Sequence, residues 1–225
     1  MNVAAVALSA AAVMPAQAEV EGLSANVGAV SDYYFRGVNL GDAGAYAGID
    51  YEAAGFYVGA WVIDDGGAVP DATPGGDGLE YDMYLGWAME TESGFGLNLG
   101  YTRYDYTYTS DFEHELNLGL SMSGFALDVA VGQDDDDNGQ DPVDYLFAGL
   151  SWSGDVFGAT IGHWELDSEL DNEYNYIELS AGGEVATLDM AVSIGRNFGI
   201  KGNGADVGST GTEYIVLDIS KSFSF

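Results

Sequence analysis

The chain contains no cysteine in its 225 residues, so disulfide bridges, thiolate metal centres and cysteine nucleophiles are all excluded. Basic residues are scarce as well. Five Lys and Arg stand against 37 Asp and Glu, a formal net charge of −32, and phosphate backbones are held by clustered cations, so nucleic acid is excluded as a partner. Histidine occurs only at His114 and His163, and Gly-x-Ser-x-Gly, His-Glu-x-x-His and phosphate-loop patterns are absent. No enzymatic activity is expected. Beyond the first residues, no stretch approaches the roughly 18 consecutive apolar residues that a membrane-crossing helix requires. If this chain crosses a bilayer, it does so with strands.

The one long apolar run is Asn2 to Val13, rich in Ala and Val and followed by Pro15 and then Ala16-Gln17-Ala18. That small-x-small tripeptide is what a signal peptidase accepts. Residues 1–18 are therefore expected to be a signal peptide cleaved before Glu19, although no Lys or Arg precedes the apolar run. Residues 19–225 then form one domain. With 15 Tyr, 10 Phe and 4 Trp, the chain is too aromatic for a disordered, solvating segment.

Period-two alternation runs down the mature sequence. In Leu79–Met89 the odd positions are Leu79, Tyr81, Met83, Leu85, Trp87 and Met89, while the even ones are Glu80, Asp82, Tyr84, Gly86 and Ala88. Phe112–Met122 repeats the pattern: Leu116, Leu118 and Leu120 share one face, and Glu113, Glu115, Asn117 and Gly119 share the other. A strand with one apolar and one polar or small face reads this way. Strands are expected near 23–36, 45–53, 55–63, 79–91, 95–108, 112–123, 125–133, 143–153, 155–166, 173–182, 187–198 and 212–225. Short connections at Glu52–Gly55, Glu92–Gly94, Ser123-Gly124, Ser153–Asp155 and Gly182–Ala186 alternate with longer ones, and both termini fall on the side of the short turns.

Alternation, an even strand count and short turns opposite long loops together predict an all-β fold, a closed antiparallel up-and-down transmembrane β-barrel of about 12 strands. Closure leaves no unpaired edge, and in hydrocarbon every backbone polar group must be paired internally. A soluble β-sandwich is the competing fold. Trp61, Trp87, Tyr101, Trp152 and Trp164 fall near strand ends, where aromatic girdles are expected. The last strand alternates Ile215, Leu217, Ile219, Lys221, Phe223 and Phe225; a final Phe such as Phe225 resembles the signal read by the barrel-assembly machinery. Outer-membrane lipid and lipopolysaccharide are the further expected partners.

If the apolar faces meet lipid, Glu80, Asp82, Glu90, Glu113, Glu115, Asp128 and Asp189 become lumen carboxylates, with Arg36 and Arg103 as candidate counter-charges. Rings of carboxylates favour cations. The acidic run from Asp134 opens like a calcium loop, with Asp134, Asp136 and Asn138 in place and Asp141 nearby, but its twelfth position is Tyr145 rather than Glu. This suggests at most a loop site for Ca2+ or Mg2+; no other cofactor is expected.

The segments Ser31-Asp32-Tyr33-Tyr34-Phe35-Arg36-Gly37, Gly48-Ile49-Asp50-Tyr51-Glu52, Gly55 to Trp61 and Glu80 to Gly86 resemble the TorF-type porin family of exported proteobacterial outer-membrane β-barrel proteins. Val62-Ile63-Asp64 after Trp61 departs from the small residue, Ser and Asn found there in that family. The resemblance implies a barrel in the outer membrane passing small solutes. Residues and resemblance together lead to the expectation of a porin-like channel for small cations or neutral solutes. The alternatives are a non-conducting structural or ligand-binding barrel and, third, a soluble secreted β-protein.

Overall fold

The computed structural model describes residues 22–64, 78–135, 142–167, 172–201 and 212–225. Among these there are fourteen strands and no helix. Twelve of them close into one antiparallel barrel: β1 (Leu23–Val30), β4 (Gly44–Ala53), β5 (Phe56–Asp64), β6 (Leu79–Glu90), β7 (Phe95–Tyr106), β8 (Phe112–Met122), β9 (Phe125–Asp135), β10 (Val143–Ser153), β11 (Phe157–Asp167), β12 (Asn172–Val185), β13 (Leu188–Lys201) and β14 (Glu213–Ser224). Closure is made by β1, which pairs with β4 on one side and with β14 on the other, from Ser24 opposite Ser224 to Val30 opposite Asp218.

The remaining two strands, β2 (Tyr33–Phe35) and β3 (Val38–Gly41), form a separate two-stranded sheet. This corrects the expectation of a single strand over 23–36: the wall strand ends at Val30, and the chain leaves the sheet at Ser31. The exit is pinned by the Ser31 amide donating to the Leu217 carbonyl (2.9 Å) and by the Leu217 amide donating to Ser31 Oγ (3.0 Å).

Two-residue turns with positive φ at both positions join several neighbours. They are Ala54-Gly55, Ser123-Gly124, Ala186-Thr187 and, at the tip of the small hairpin, Arg36-Gly37. This is the type I′ pattern, whose twist matches that of the flanking strands. The turn expected at 182–186 lies further along, because β12 continues to Val185, opposite Leu188, before reversing at Ala186-Thr187.

The outward face is apolar around the whole circumference. Val58, Leu85, Leu99, Leu116, Leu150, Ile161, Leu179, Ile194, Ile215 and Leu217 are all exposed, Leu85 by 56% and Leu116 by 61%. A continuous apolar jacket of this kind in water would be a large aggregation liability. Against hydrocarbon it is the stable arrangement.

The inward face follows a different rule, in which a tyrosine is paired directly across the ladder with a glycine. Tyr46 faces Gly28, Tyr84 faces Gly59, Tyr57 faces Gly86, Tyr145 faces Gly132, Tyr176 faces Gly162 and Tyr214 faces Gly195. Each ring covers its glycine so closely that a Cβ has no room; at Gly195 it would lie 2.0 Å from Tyr214 Cζ, and at Gly162 2.1 Å from Tyr176 Cε1. The aromatic protects the bare strand backbone and leaves its hydroxyl at the lumen edge.

Candidate functional site

The β2–β3 hairpin folds into the half of the lumen that lies on the long-loop side and meets the wall on opposite sides. Tyr33 lies beside Trp61 of β5, with ring centroids 6.0 Å apart, and its hydroxyl donates to Glu80 Oε1 of β6 (2.8 Å). Tyr34 stacks on Tyr214 of β14 at 4.0 Å, and Phe35 approaches Tyr104 of β7 at 6.0 Å. Gly37 is seated where a Cβ would come within 2.6 Å of the Tyr176 side chain and 2.9 Å of Asn197 Oδ1. Beneath the hairpin lies an apolar cluster on the inner wall, formed by Ala130, Tyr145, Phe147, Trp164, Tyr174 and Tyr176, with Phe35, Val38 and Leu166 packed against it.

Arg36 anchors the tip. Its backbone is in the left-handed region (φ 47°), as the type I′ turn at the tip requires, and its side chain is held on every side. The guanidinium makes a bidentate pair with Glu115, with Nη1 to Oε2 and Nη2 to Oε1 both at 2.9 Å. It also lies over the rings of Phe147 (4.3 Å), Phe35 (4.6 Å) and Trp164 (5.4 Å), while Trp164 Nε1 donates to the Arg36 carbonyl at 3.3 Å. Glu115 also accepts from Tyr104 (2.8 Å) and Tyr145 (3.1 Å). Its side chain is only 2% exposed, so the charge is removed from water but fully hydrogen-bonded.

The other inward carboxylates repeat the tyrosine motif more simply. Asp218 accepts from Tyr46 (2.8 Å), Glu178 from Tyr214 (2.9 Å), Glu113 from Tyr106 (3.2 Å) and Asp50 from Tyr84. Glu80, Asp82, Glu113, Glu115, Asp128 and Asp189 all lie on the inward face, as does Glu90, which is exposed at the short-turn end of β6. Glu80, Asp82, Glu113 and Glu115 come together in the half that holds the hairpin; Asp128 lies nearer mid-height, and Glu90 and Asp189 towards the opposite mouth. Asp50, Glu178 and Asp218 were missed by the sequence reading. Each sits on the same parity as a tyrosine or glycine of its strand, which was the available signal.

Three placements correct the sequence reading. Arg103 does not reach the lumen. It shares the outward face with Leu99 and Tyr101, pairs with Asp105 on its own strand (2.7 Å) and covers the Phe112 ring at 3.8 Å. Trp61 and Trp164 are not outer-girdle residues either: Trp61 packs in the lumen on Tyr33 and Tyr46, and Trp164 is buried in the cluster under the hairpin. Trp87, Trp152 and Tyr101 do lie on the outward parity. Of the acidic-loop residues, Asp134 lies next to the end of β9 on the inward face, whereas Asp136, Asn138 and Asp141 lie outside the described residues, as do residues 1–18. Among the described residues no group of three or more His, Asp or Glu could hold a metal ion.

A closed twelve-stranded barrel jacketed in apolar side chains, polar within and occupied by an inturned hairpin, is an outer-membrane β-barrel. The chain belongs to the family described as a bacterial protein of unknown function (Gcw_chp), which it matches over residues 16–223. No curated protein matches it. Among solved structures it is similar to the KdgM porin in complex with disordered oligogalacturonate, at 10% identity over 90% of this chain and 98% of that one, with a TM-score of 0.49. It is also similar to an outer membrane channel from Pseudomonas putida F1, at 13% identity over 94% and 99% of the two chains with a TM-score of 0.49. A third likeness is to OccD1 (OprD), at 11% identity and a TM-score of 0.47, covering 91% of this chain and 66% of that one. The chain thus spans just under two thirds of OccD1.

Proposed function

We propose that this barrel is a passive, cation-preferring outer-membrane pore for small solutes, with a bore set by the β2–β3 hairpin. The observation that carries the proposal is the charge of the inward face. Among the described residues Arg36 is the one basic side chain placed in the lumen, and Glu115 holds it. Against it stand Asp50, Glu80, Asp82, Glu90, Glu113, Asp128, Glu178, Asp189 and Asp218. A low-dielectric wall lined with one sign of charge concentrates the opposite ion. Purified, folded protein in planar bilayers should give discrete conductance steps.

The hairpin favours a second reading. It reaches opposite walls of the lumen, which suits a non-conducting structural or ligand-binding barrel. The same bilayer experiment separates the two: a silent wild-type barrel that begins to conduct once the hairpin is shortened would belong to the second reading.

The finer parts of the proposal rest on the sequence. Residues 1–18 direct export, Phe225 is the feature presented to the barrel-assembly machinery, and lipopolysaccharide meets the apolar jacket on the long-loop side. The TorF-type resemblance supports the porin assignment through the Ser31–Gly37 motif, which supplies β2 and the tip of the hairpin. No catalytic role is assigned, since no nucleophile–base pattern occurs in the sequence.

A further inference from the structure

Asp82 stands apart from the other carboxylates around the hairpin. Glu80 is bonded by Tyr33, Glu113 by Tyr106, and Glu115 by Arg36 and two tyrosines. Asp82 is 0% exposed, and neither of its carboxylate oxygens has a hydrogen-bond partner. Among the described residues it alone has both carboxylate oxygens buried and unanswered. Leaving an ionised carboxylate in such a place without compensation is among the most costly arrangements a protein can hold.

The surroundings make matters worse for an isolated anion. Asp82 pairs across the ladder with Tyr104, which in turn pairs with Glu113, so one row of the inner wall reads Asp82, Tyr104, Glu113. Glu80 lies two residues along the same face. The like charges placed beside Asp82 on the inner wall are therefore Glu80 and Glu113, and the nearby cation, Arg36, is already bound bidentately by Glu115. The local balance is short of positive charge.

We propose that Asp82 seats one desolvated monovalent cation, Na+ or K+, in the half of the lumen occupied by the hairpin. A divalent ion is disfavoured, because Ca2+ draws on about 6–8 oxygen ligands and Mg2+ requires an octahedron, and no group of three acidic or histidine ligands is assembled among the described residues. A monovalent ion needs one carboxylate and neutral oxygens, and tyrosine hydroxyls are abundant in this wall. The proposal deepens the cation-pore reading by naming where an ion rests, and it is tested by binding rather than by conductance.

The test uses the full folded chain in detergent micelles. Infrared difference spectra are recorded while N-methyl-D-glucamine is exchanged for Na+ and, separately, for K+ at constant ionic strength, for wild type and Asp82→Asn. The expected result is a shift of a carboxylate stretch with at least one of the two ions that Asp82→Asn abolishes. A wild-type spectrum indifferent to both ions would overturn the proposal. So would a protonated-carboxyl band that disappears in Asp82→Asn, because Asp82 would then be neutralised by a proton. Thermal melting provides a second readout: the ion that shifts the stretch should raise the wild-type Tm above its value in N-methyl-D-glucamine and leave the Tm of Asp82→Asn unmoved, and equal responses would overturn the site. A silent bilayer with intact binding of that ion would defeat the pore reading alone.

Discussion

Replacing Arg36 by Ala should release the hairpin while leaving the barrel closed. The wall ladders run from β1 round to β14 without using β2 or β3, so the substitution acts on docking rather than on closure. What it removes is one partner of a buried pair: Glu115 would keep its two tyrosine donors but lose two charged hydrogen bonds at 2.9 Å. Breaking such a pair from one side costs about 3–5 kcal/mol, because the remaining charge stays buried. The docked state should therefore lose about two to four orders of magnitude in its equilibrium against an undocked one. Hydrogen exchange is the direct assay. The Phe35–Val38 amides should exchange far faster in Arg36→Ala, while amides of β6 to β10 keep wild-type protection. Replacing Arg36 and Glu115 together by Leu should restore only part of the docking, since the unpaired buried charge is gone but Tyr104 and Tyr145 lose their acceptor. Unchanged hairpin exchange in Arg36→Ala would refute the idea that this pair is the latch; faster exchange throughout the wall would refute the separation of hairpin from barrel.

Three further outcomes follow from the geometry. Gly195→Ala places a Cβ 2.0 Å from Tyr214 Cζ, so the ring must swing off the wall; overpacking of this kind costs about 1–3 kcal/mol, which urea titration of the folded barrel would report. Leu85→Arg puts a charge in the lipid-facing jacket and should destabilise folding into vesicles by about 2–4 kcal/mol if the site lies near mid-membrane; no measurable loss would count against lipid contact at Leu85. Arg103→Ala should cost no more than about 1 kcal/mol, as is usual for partly exposed pairs, and should leave ion selectivity unchanged because the side chain faces outward.

The wall was largely legible because a strand has a period of two residues and a barrel has two chemically opposed faces. Leu79–Met89 and Phe112–Met122 could hardly be read otherwise, and turn chemistry at Ser123-Gly124 fixed their neighbours. The hairpin was not legible for the same reason. Tyr33 and Phe35 continue an alternating pattern, so a short strand folded inward looks like the end of the strand before it. The Arg36-Gly37 tip carries none of the Asn-Gly or Asp-Gly signature that usually marks a type I′ turn. Parity alone would have placed the residues that were misread. Arg103 shares its parity with Leu97, Leu99 and Tyr101, whereas Trp61 shares its parity with Tyr57 and Gly59, and Trp164 with Gly158, Thr160 and Gly162. The bidentate Arg36–Glu115 contact joins residues 79 positions apart, and no local pattern encodes such a distance.

The most direct measurement for the account as a whole is the reversal potential of single channels under a KCl gradient. A lumen whose inward charges are carboxylates, with its one described cation tied to Glu115, predicts a potential displaced towards that of K+. A reversal potential at zero, or one displaced towards that of Cl−, would contradict it.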